Sequence, residues 1–254
     1  MLTSQRKQYI LDMLRRDGQV IAKQVSQDLR LSEDTIRRDL RELAQEGLLQ
    51  RVHGGALPAS PAVVDFTARE VLSITAKQVI GYAAAYMIRD GQVVFIDGGT
   101  TAVQLVHQLP RALQATVVTH SPRVAVELVQ HPSVEVILIG GRLFKHSIVA
   151  VGTAALDALA HIRADVYFMG VTGVHPEAGL STGDLEEAYM KRAMCKQSAE
   201  TYVLASREKL GAASQYIVAP LSAVTGLIVE GGLPETLLMP FRVAELAIVE
   251  AAEA

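Results

Sequence analysis

The chain has 254 residues, half of them hydrophobic, with 24 Lys and Arg against 27 Asp and Glu; that is enough apolar material to bury a sizeable core, which excludes a disordered chain. One cysteine, Cys195, excludes an internal disulfide framework and a cysteine-cluster metal site. The charge is uneven, with 10 Lys and Arg against 8 Asp and Glu up to Pro58 and 14 against 19 from Ala59 onward, a mildly basic head on an acidic body.

The first twenty residues, MLTSQRKQYILDMLRRDGQV, interleave charged and apolar side chains too closely for a secretion signal, and no apolar run approaches membrane-spanning length. The expected location is the cytoplasm, with no membrane partner. Residues 4–17 set Ile10, Met13 and Leu14 on one face, carry Arg15 and Arg16 near the end and stop at Gly18, the pattern of a helix. A shorter helix is predicted over 22–29. The third is the best marked: Ser32 is a natural N-cap, Glu33 and Asp34 suit the positive end of the dipole, and Gly47 closes it. Its apolar stripe of Ile36, Leu40 and Leu43 must face the core, which turns Thr35, Arg37, Arg38 and Arg41 outward. Such a set can grip base edges and phosphates, or can be the solvated face of an ordinary helix. After it LLQRVHGGA, 48–56, reads as a strand, a Gly-Gly turn and a basic tip with Arg51, His53 and Gly54, the wing of a winged helix.

ALPASPAV, 56–63, is rich in proline and small residues and reads as a semi-rigid linker. A helix is predicted over 74–88. The body then alternates helical stretches with β-rich runs: VVFID (93–97), TVVT (116–119), VEVILIG (134–140), DVYFMG (165–170), TYVLA (201–205) and GLIV (226–229). That alternation predicts a doubly wound, mostly parallel α/β sheet with ligands at the carboxyl ends of its strands. Glycine and polar residues cluster at those ends, in Asp97-Gly98-Gly99-Thr100-Thr101, Thr119-His120-Ser121, Gly140-Gly141-Arg142, and Gly170 with Gly173. Each alone could be a plain turn, whereas their recurrence at one edge points to a shared pocket. FIDGGTTAVQLV, 95–106, has the grammar of a phosphate cradle: glycines admit an anion, hydroxyls donate to it, and a helix start adds free N–H groups.

Further on, GLSTGDLEEAYMKRAMCKQ (179–197) carries Asp184, Glu187 and Lys191. Glu187 and Lys191 are four apart, either a surface ion pair worth a few tenths of a kcal/mol or, with Asp184, a set that binds a polyol's hydroxyls and neutralises a phosphate. Cys195 lies in the same run and is expected to be a small buried helix residue. The seven histidines are scattered without paired spacing, so neither a metal nor a cofactor is expected.

Residues 31–56, LSEDTIRRDLRELAQEGLLQRVHGGA, resemble the signature of the DeoR/GlpR family of bacterial transcription regulators, in which a Ser-x-x-Thr-Ile-Arg-Arg-Asp-Leu helix and a His-Gly-Gly wing recur. The body resembles that family's effector-sensing domain in its Asp-x-Gly-Thr-Thr loop at 97–101, Thr-x-Ser at 119–121, Gly-Gly at 140–141 and Gly-Leu-x-x-x-Asp-x-x-Glu-Ala-x-x-Lys-Arg run at 179–192. The resemblance implies a winged helix-turn-helix domain over 1–57, a linker over 58–73 and, over 74–254, an α/β sensor domain similar in fold to sugar-phosphate isomerases. It implies DNA contacts from Ser32, Thr35, Arg37, Arg38, Arg41, Arg51, His53 and Gly54. It implies effector contacts from Asp97, Gly98, Gly99, Thr100, Thr101, Thr119, Ser121, Gly141, Asp184, Glu187, Lys191 and Lys209. The implied function is a repressor of carbohydrate catabolism genes that responds to a phosphorylated sugar, with operator DNA, that effector and further copies of itself, as dimer or tetramer, for partners.

The sequence departs from the family pattern at four places. Ile21 stands where a Ser or Thr cap is usual and Arg30 where the turn has Gly. SREKLG, 206–211, replaces Asp-Ser-Ser-Lys-Phe-Gly and so lacks its leading acid at Ser206, and Glu230 ends IVE where Ile-Thr-Asp is commoner. Two other readings stay open: an isomerase-like enzyme fused to a DNA-binding head, with Asp184 or Glu187 moving the proton, and a DNA-binding protein with a vestigial pocket.

Overall fold

The computed structural model describes residues 2–252; Met1, Glu253 and Ala254, at the outer ends of the expected domains, lie outside the described residues. The head runs α1 (Thr3–Asp17), β1 (Val20–Ile21), α2 (Ala22–Leu29), α3 (Glu33–Gln45), β2 (Leu49–Val52) and β3 (Gly55–Pro58), the strands pairing antiparallel in the order β1-β3-β2. Ile10, Met13 and Leu14 of α1 meet Val25 and the Ile36, Leu40, Leu43 stripe in one buried cluster. Ser32 caps α3 by accepting from the Thr35 amide. Inside the cluster the Arg6 guanidinium grips the Asp39 carboxylate, Nη2 to Oδ1 at 2.9 Å, and ties α1 to α3.

Both departures in the head have a structural answer. Ile21 offers α2 no side-chain cap; instead the first N–H of the helix, at Ala22, donates to the Gly54 carbonyl in the wing turn at 2.9 Å. The wing thereby caps the helix that the sequence leaves uncapped. Arg30 takes the left-handed conformation, φ 52°, that glycine holds without strain. Arg30→Gly is therefore expected to stabilise the head by about 1 kcal/mol, relief of the left-handed penalty exceeding glycine's extra chain entropy. A urea titration of the two proteins checks it; a less stable glycine variant would mean that the Arg30 side chain contributes more than its backbone costs.

In the body, residues 58–73, expected as a linker, pack along its surface as a short 3-10 turn (Pro61–Val63) and α4 (Phe66–Val71), with Phe66 buried. Then come α5 (Ile74–Ala85), β4 (Val93–Ile96), α6 (Thr100–His107), β5 (Thr116–Thr119), α7 (Pro122–Leu128) and β6 (Glu135–Leu138). A hairpin of β7 (Arg142–Phe144) and β8 (Val149–Val151) leads to α8 (Thr153–Ala160) and β9 (Ala164–Gly170). A second, β10 (Gly173–His175) with β11 (Gly179–Thr182), precedes α9 (Leu185–Lys196) and β12 (Ser198–Leu204). The chain closes with β13 (Tyr216–Ala219), β14 (Gly226–Glu230), α10 (Glu235–Val243) and β15 (Ala247–Ala251).

Seven of these strands form one sheet in the order β15-β14-β12-β9-β4-β5-β6, every pair parallel. Strand β4 starts the sheet at its middle. The chain winds outward through β5 and β6, then returns to lay β9 on the other side of β4. The order reverses between β4 and β9, and open α/β sheets bind ligands at such a switch point. Helices α5, α6 and α7 cover one face and α8, α9 and α10 the other, each over its own apolar core. All six expected strands are present; β15 is a seventh, and the two hairpins and β13 are also additions to the sequence reading. No helix of the described residues is long and apolar enough to cross a membrane.

Candidate functional site

Strand β4 delivers Asp97-Gly98-Gly99 to the switch point. Gly99 has φ 119°, a conformation open to glycine alone, and a Cβ on Gly98 would meet Val149 Cγ1 at 2.2 Å. The turn launches α6, whose N-cap Gly99 has no side chain to cap with, so the first N–H groups of the helix face the cleft beside the Thr100 and Thr101 hydroxyls. Across the switch point the loop after β9 approaches closely, since a Cβ on Gly170 would lie 2.9 Å from the Gly98 carbonyl.

Beneath this loop Asp97 is fully buried and accepts five hydrogen bonds. Its Oδ1 takes the Gly98 amide and His120 Nε2, both at 2.8 Å. Oδ2 takes the Tyr167 hydroxyl and the Gly170 amide at 2.9 Å and the Lys191 ammonium at 2.6 Å. The other His120 nitrogen faces the Ala150 carbonyl at 2.8 Å, so the ring is held at both nitrogens. Burial pushes the Asp97 carboxyl up, but the charges and hydrogen bonds of Lys191 and His120 outweigh it and hold the group well below the usual carboxylate range. Burial and the same carboxylate hold the Tyr167 phenol well above its ordinary value. Lys191 is thus neutralised by Asp97, ninety-four residues away, rather than by Glu187 on its own helix.

Of the residues expected at an effector, Gly98, Gly99, Thr100, Thr101, Glu187, Lys191 and Lys209 line one cleft. Asp97 lies under its floor. Thr119, Ser121, Gly141 and Asp184 are outside the lining and hold the walls: Thr119 Oγ1 accepts from the Ser121 amide, Ser121 caps α7, Gly141 abuts the Val151 carbonyl, and Asp184 caps α9 through the Glu186 and Glu187 amides.

Three charged residues that the sequence reading missed join the lining: Arg69 from α4, Lys77 from α5 and Glu208. Lys77 and Lys209 are buried, and their ammonium groups rest on the Arg69 and Leu204 carbonyls. The Arg69 guanidinium donates to Ser147 Oγ at 3.2 Å. Burial lowers all three cations, to about 8 for each lysine, with Arg69 adding repulsion at both lysines. Glu208 supplies an acid two residues after the one missing at Ser206. Its carboxylate accepts from the Ser206 hydroxyl at 2.5 Å and the Ser73 hydroxyl at 2.9 Å. Burial alone would raise it; the Ser206 hydrogen bond and Lys209 bring it below its ordinary value. Glu230 accepts from the Arg207 amide at 2.9 Å, and its buried Oε2 has no partner among the described residues. The cleft therefore joins three cations that pair with no carboxylate among the described residues, a helix start and the Thr100 and Thr101 hydroxyls, with two carboxylates at the side.

On the head, Thr35, Arg37, Arg38 and Arg41 lie along the outer side of α3, and Arg51, His53 and Gly54 at the exposed wing tip. Arg37 pairs within its own helix, with Glu33 at 2.6 Å. Arg38 and Arg41 are exposed and form no ion pair among the described residues. Ser32 shares its hydroxyl with Thr35 Oγ1 at 2.9 Å while capping α3. No group of His, Cys, Asp and Glu among the described residues is placed to hold a metal ion. Cys195 is half-buried on α9.

Two family models match the chain: a DeoR-like helix-turn-helix domain at residues 6–61 and a DeoR C terminal sensor domain at 72–231. The HTH-type transcriptional regulator GlpR of Haloferax volcanii is 34% identical over 235 residues, 92% of each chain. The glycerol-3-phosphate regulon repressor of Escherichia coli K12 is 29% identical over 94% of this chain and 95% of its own. The HTH-type transcriptional repressor GlcR of Bacillus subtilis is 31% identical over 87% and 86%. Among solved structures, ribose 5-phosphate isomerase A from Methanocaldococcus jannaschii is similar over 52% of each chain, with a TM-score of 0.39 and 17% identity.

Proposed function

The chain belongs to the DeoR family, and from that premise we infer that it is a DNA-binding repressor of carbohydrate catabolism genes whose hold on its operator is modulated by a phosphorylated sugar. The observation that carries the effector half is the meeting of Arg69, Lys77 and Lys209 with the open start of α6. Cations buried beside carbonyls and hydroxyls are poorly stabilised until an anion arrives, and a phosphate dianion satisfies both them and the helix start. Glu187 and Glu208 then face the remainder of the molecule as acceptors for its hydroxyl groups. An oligomer with two heads on a two-fold operator completes the proposal, because one head buries too little DNA for useful specificity.

Melting temperature against a panel of triose, pentose and hexose phosphates and their unphosphorylated parents tests the reading, followed by operator binding with each hit. Stabilisation that requires the phosphate and changes DNA affinity supports it; no shift across the panel returns the cleft to the vestigial reading. In the head, Arg38→Ala is expected to weaken operator binding by about 1–3 kcal/mol and to reduce the salt slope by about one. Arg37→Ala is expected to cost less, since Glu33 already offsets its charge. Equal losses in filter binding would show that the Glu33 pair opens on DNA. The enzymatic alternative would have to use Glu187 or Glu208, because Asp97 is held by five donors and Asp184 by its helix cap. Turnover assays on the same panel decide it.

A further inference from the structure

The cleft is almost closed. Its free interior is about 30 Å³, room for a water molecule or two, against the roughly 300–1,000 Å³ of ordinary small-molecule sites. A neighbouring cavity of about 100 Å³ shares Arg69, Ser147, Thr172 and Glu187 with it. No sugar phosphate enters unless a wall moves. The floor is fixed by the buried Asp97 network, and the far wall is α9, pinned to that network through Lys191. The roof is different. Three residues of the cleft lining, Ala62, Arg69 and Leu72, belong to the segment that leaves the head at β3 and reaches the body at α5, and we take them as the roof.

That segment also seats the head. The Pro58 carbonyl accepts from the Ala213 amide at 3.1 Å, and Ala59 forms a parallel β-bridge with Ala213. The buried Ser60 hydroxyl donates to the Thr172 carbonyl, and its oxygen accepts from the Ala62 amide at 3.1 Å. Thr172 itself lines the cleft. At the other end Ser73 holds a left-handed conformation, φ 52°, and is clamped by Glu208. Strain of this kind, about 1–3 kcal/mol, persists only while its surroundings hold it.

We propose that the tether between head and body, residues 59–72, is the lid of the effector cleft, and that effector entry displaces its head-proximal end, breaking the Ser60–Thr172 and Pro58–Ala213 contacts that seat the head, while Arg69 near its other end stays on the phosphate. The proposal rests on the sugar-phosphate reading above and adds the element through which the cleft reaches the DNA. A ligand shifts a conformational equilibrium only by its preference for one state, and here the closed state excludes the ligand by volume. The head fixed on the body is the ligand-free state.

The test locks the lid. Ala59 and Ala213 sit side by side as neighbours in a sheet do, about 4.8 Å apart, within disulfide range. Ala59→Cys with Ala213→Cys, in a Cys195→Ala background, is oxidised and titrated with the phosphate panel and with inorganic phosphate. The oxidised protein is expected to bind the sugar phosphates at least tenfold more weakly than the reduced protein; equal affinity in the two forms overturns the lid. Hydrogen exchange on the unmodified protein is an independent check: a saturating sugar phosphate should speed exchange of the Ala62 and Ala213 amides, and unchanged or slower exchange overturns the proposal. If no member of the panel binds the unmodified protein, the sensing reading fails, and the lid fails with it. Binding to the unmodified protein with unaltered exchange leaves the sensor intact and removes the lid alone.

Discussion

Asp97→Ala is expected to destabilise the body by about 3–5 kcal/mol, the range for removing one partner of a buried ion pair, and to leave the head folded. The Lys191 ammonium, the His120 ring, the Tyr167 hydroxyl and two backbone amides converge on this carboxylate. Without it Lys191 is a buried charge with no counter-charge in contact, and His120 loses the acceptor at Nε2. Asp97→Asn is nearly isosteric and is expected to fare little better. Both oxygens of Asp97 accept, and an amide in their place must point a donor at either the Gly98 amide and His120 or the Tyr167 hydroxyl, Gly170 amide and Lys191. Urea denaturation followed by far-UV circular dichroism measures the loss, with the α1 to α3 signal of the head persisting after the body has unfolded. Variants within 1 kcal/mol of the parent would show that Lys191 and His120 find other partners. Because the same carboxylate anchors Gly98 and Gly170, the variant should also fail to bind any effector at temperatures where it remains folded.

Much of this architecture could be read from the chain and some could not, for reasons that differ by residue. The Ile36, Leu40, Leu43 stripe and the Asp97 to Thr101 loop are local signals, and the periodicity or turn chemistry that announces them also builds them. Arg69 and Lys77 are silent because α4 has only six residues and α5 is apolar nearly all round, so neither shows a face. Their meeting with Lys209 is made by the tertiary fold. Lys191 misled for a related reason: Glu187 lies one turn away, yet the partner that wins is Asp97, just after the first strand of the sheet. The missing acid at Ser206 was legible as a loss and its recovery by Glu208 was not, since the clamp to Ser73 crosses between segments far apart in sequence. Strand β15, AIVEA, is embedded in an Ala- and Glu-rich run whose composition favours helix, and only its pairing with β14 makes it a strand. The cap on α2 shows the same limit at short range, because the acceptor that serves Ala22 belongs to the wing.

Effector affinity is expected to fall about 100-fold between pH 7 and pH 9, following the loss of one proton from each of two lysines whose values lie near 8. Burial is the main cause of both depressions, with Arg69 adding repulsion at each and Glu208 opposing it. A phosphate monoester, with its second ionisation near pH 6, is a dianion across this window, so the titration belongs to the protein. Below pH 7 both lysines are charged in the empty cleft, and binding takes up no protons. Above pH 8 the dianion must recharge them, and the logarithm of affinity falls toward two units per pH unit. Stability of the unliganded body moves the opposite way. Between pH 8 and the unfolded lysine value near 10.4, the unfolded chain binds more protons than the folded one, so the folded state gains as pH rises. Weakening affinity alongside a stabilising scaffold separates this mechanism from alkaline unfolding, which would lower both. Calorimetric titration at pH 7, 8 and 9 in two buffers of different ionisation enthalpy reads affinity and proton uptake together. Lys77→Met and Lys209→Met should each remove half of the slope and some of the affinity at pH 7. Affinity that stays flat from pH 7 to 9 would exclude these two lysines as the charges that meet the phosphate.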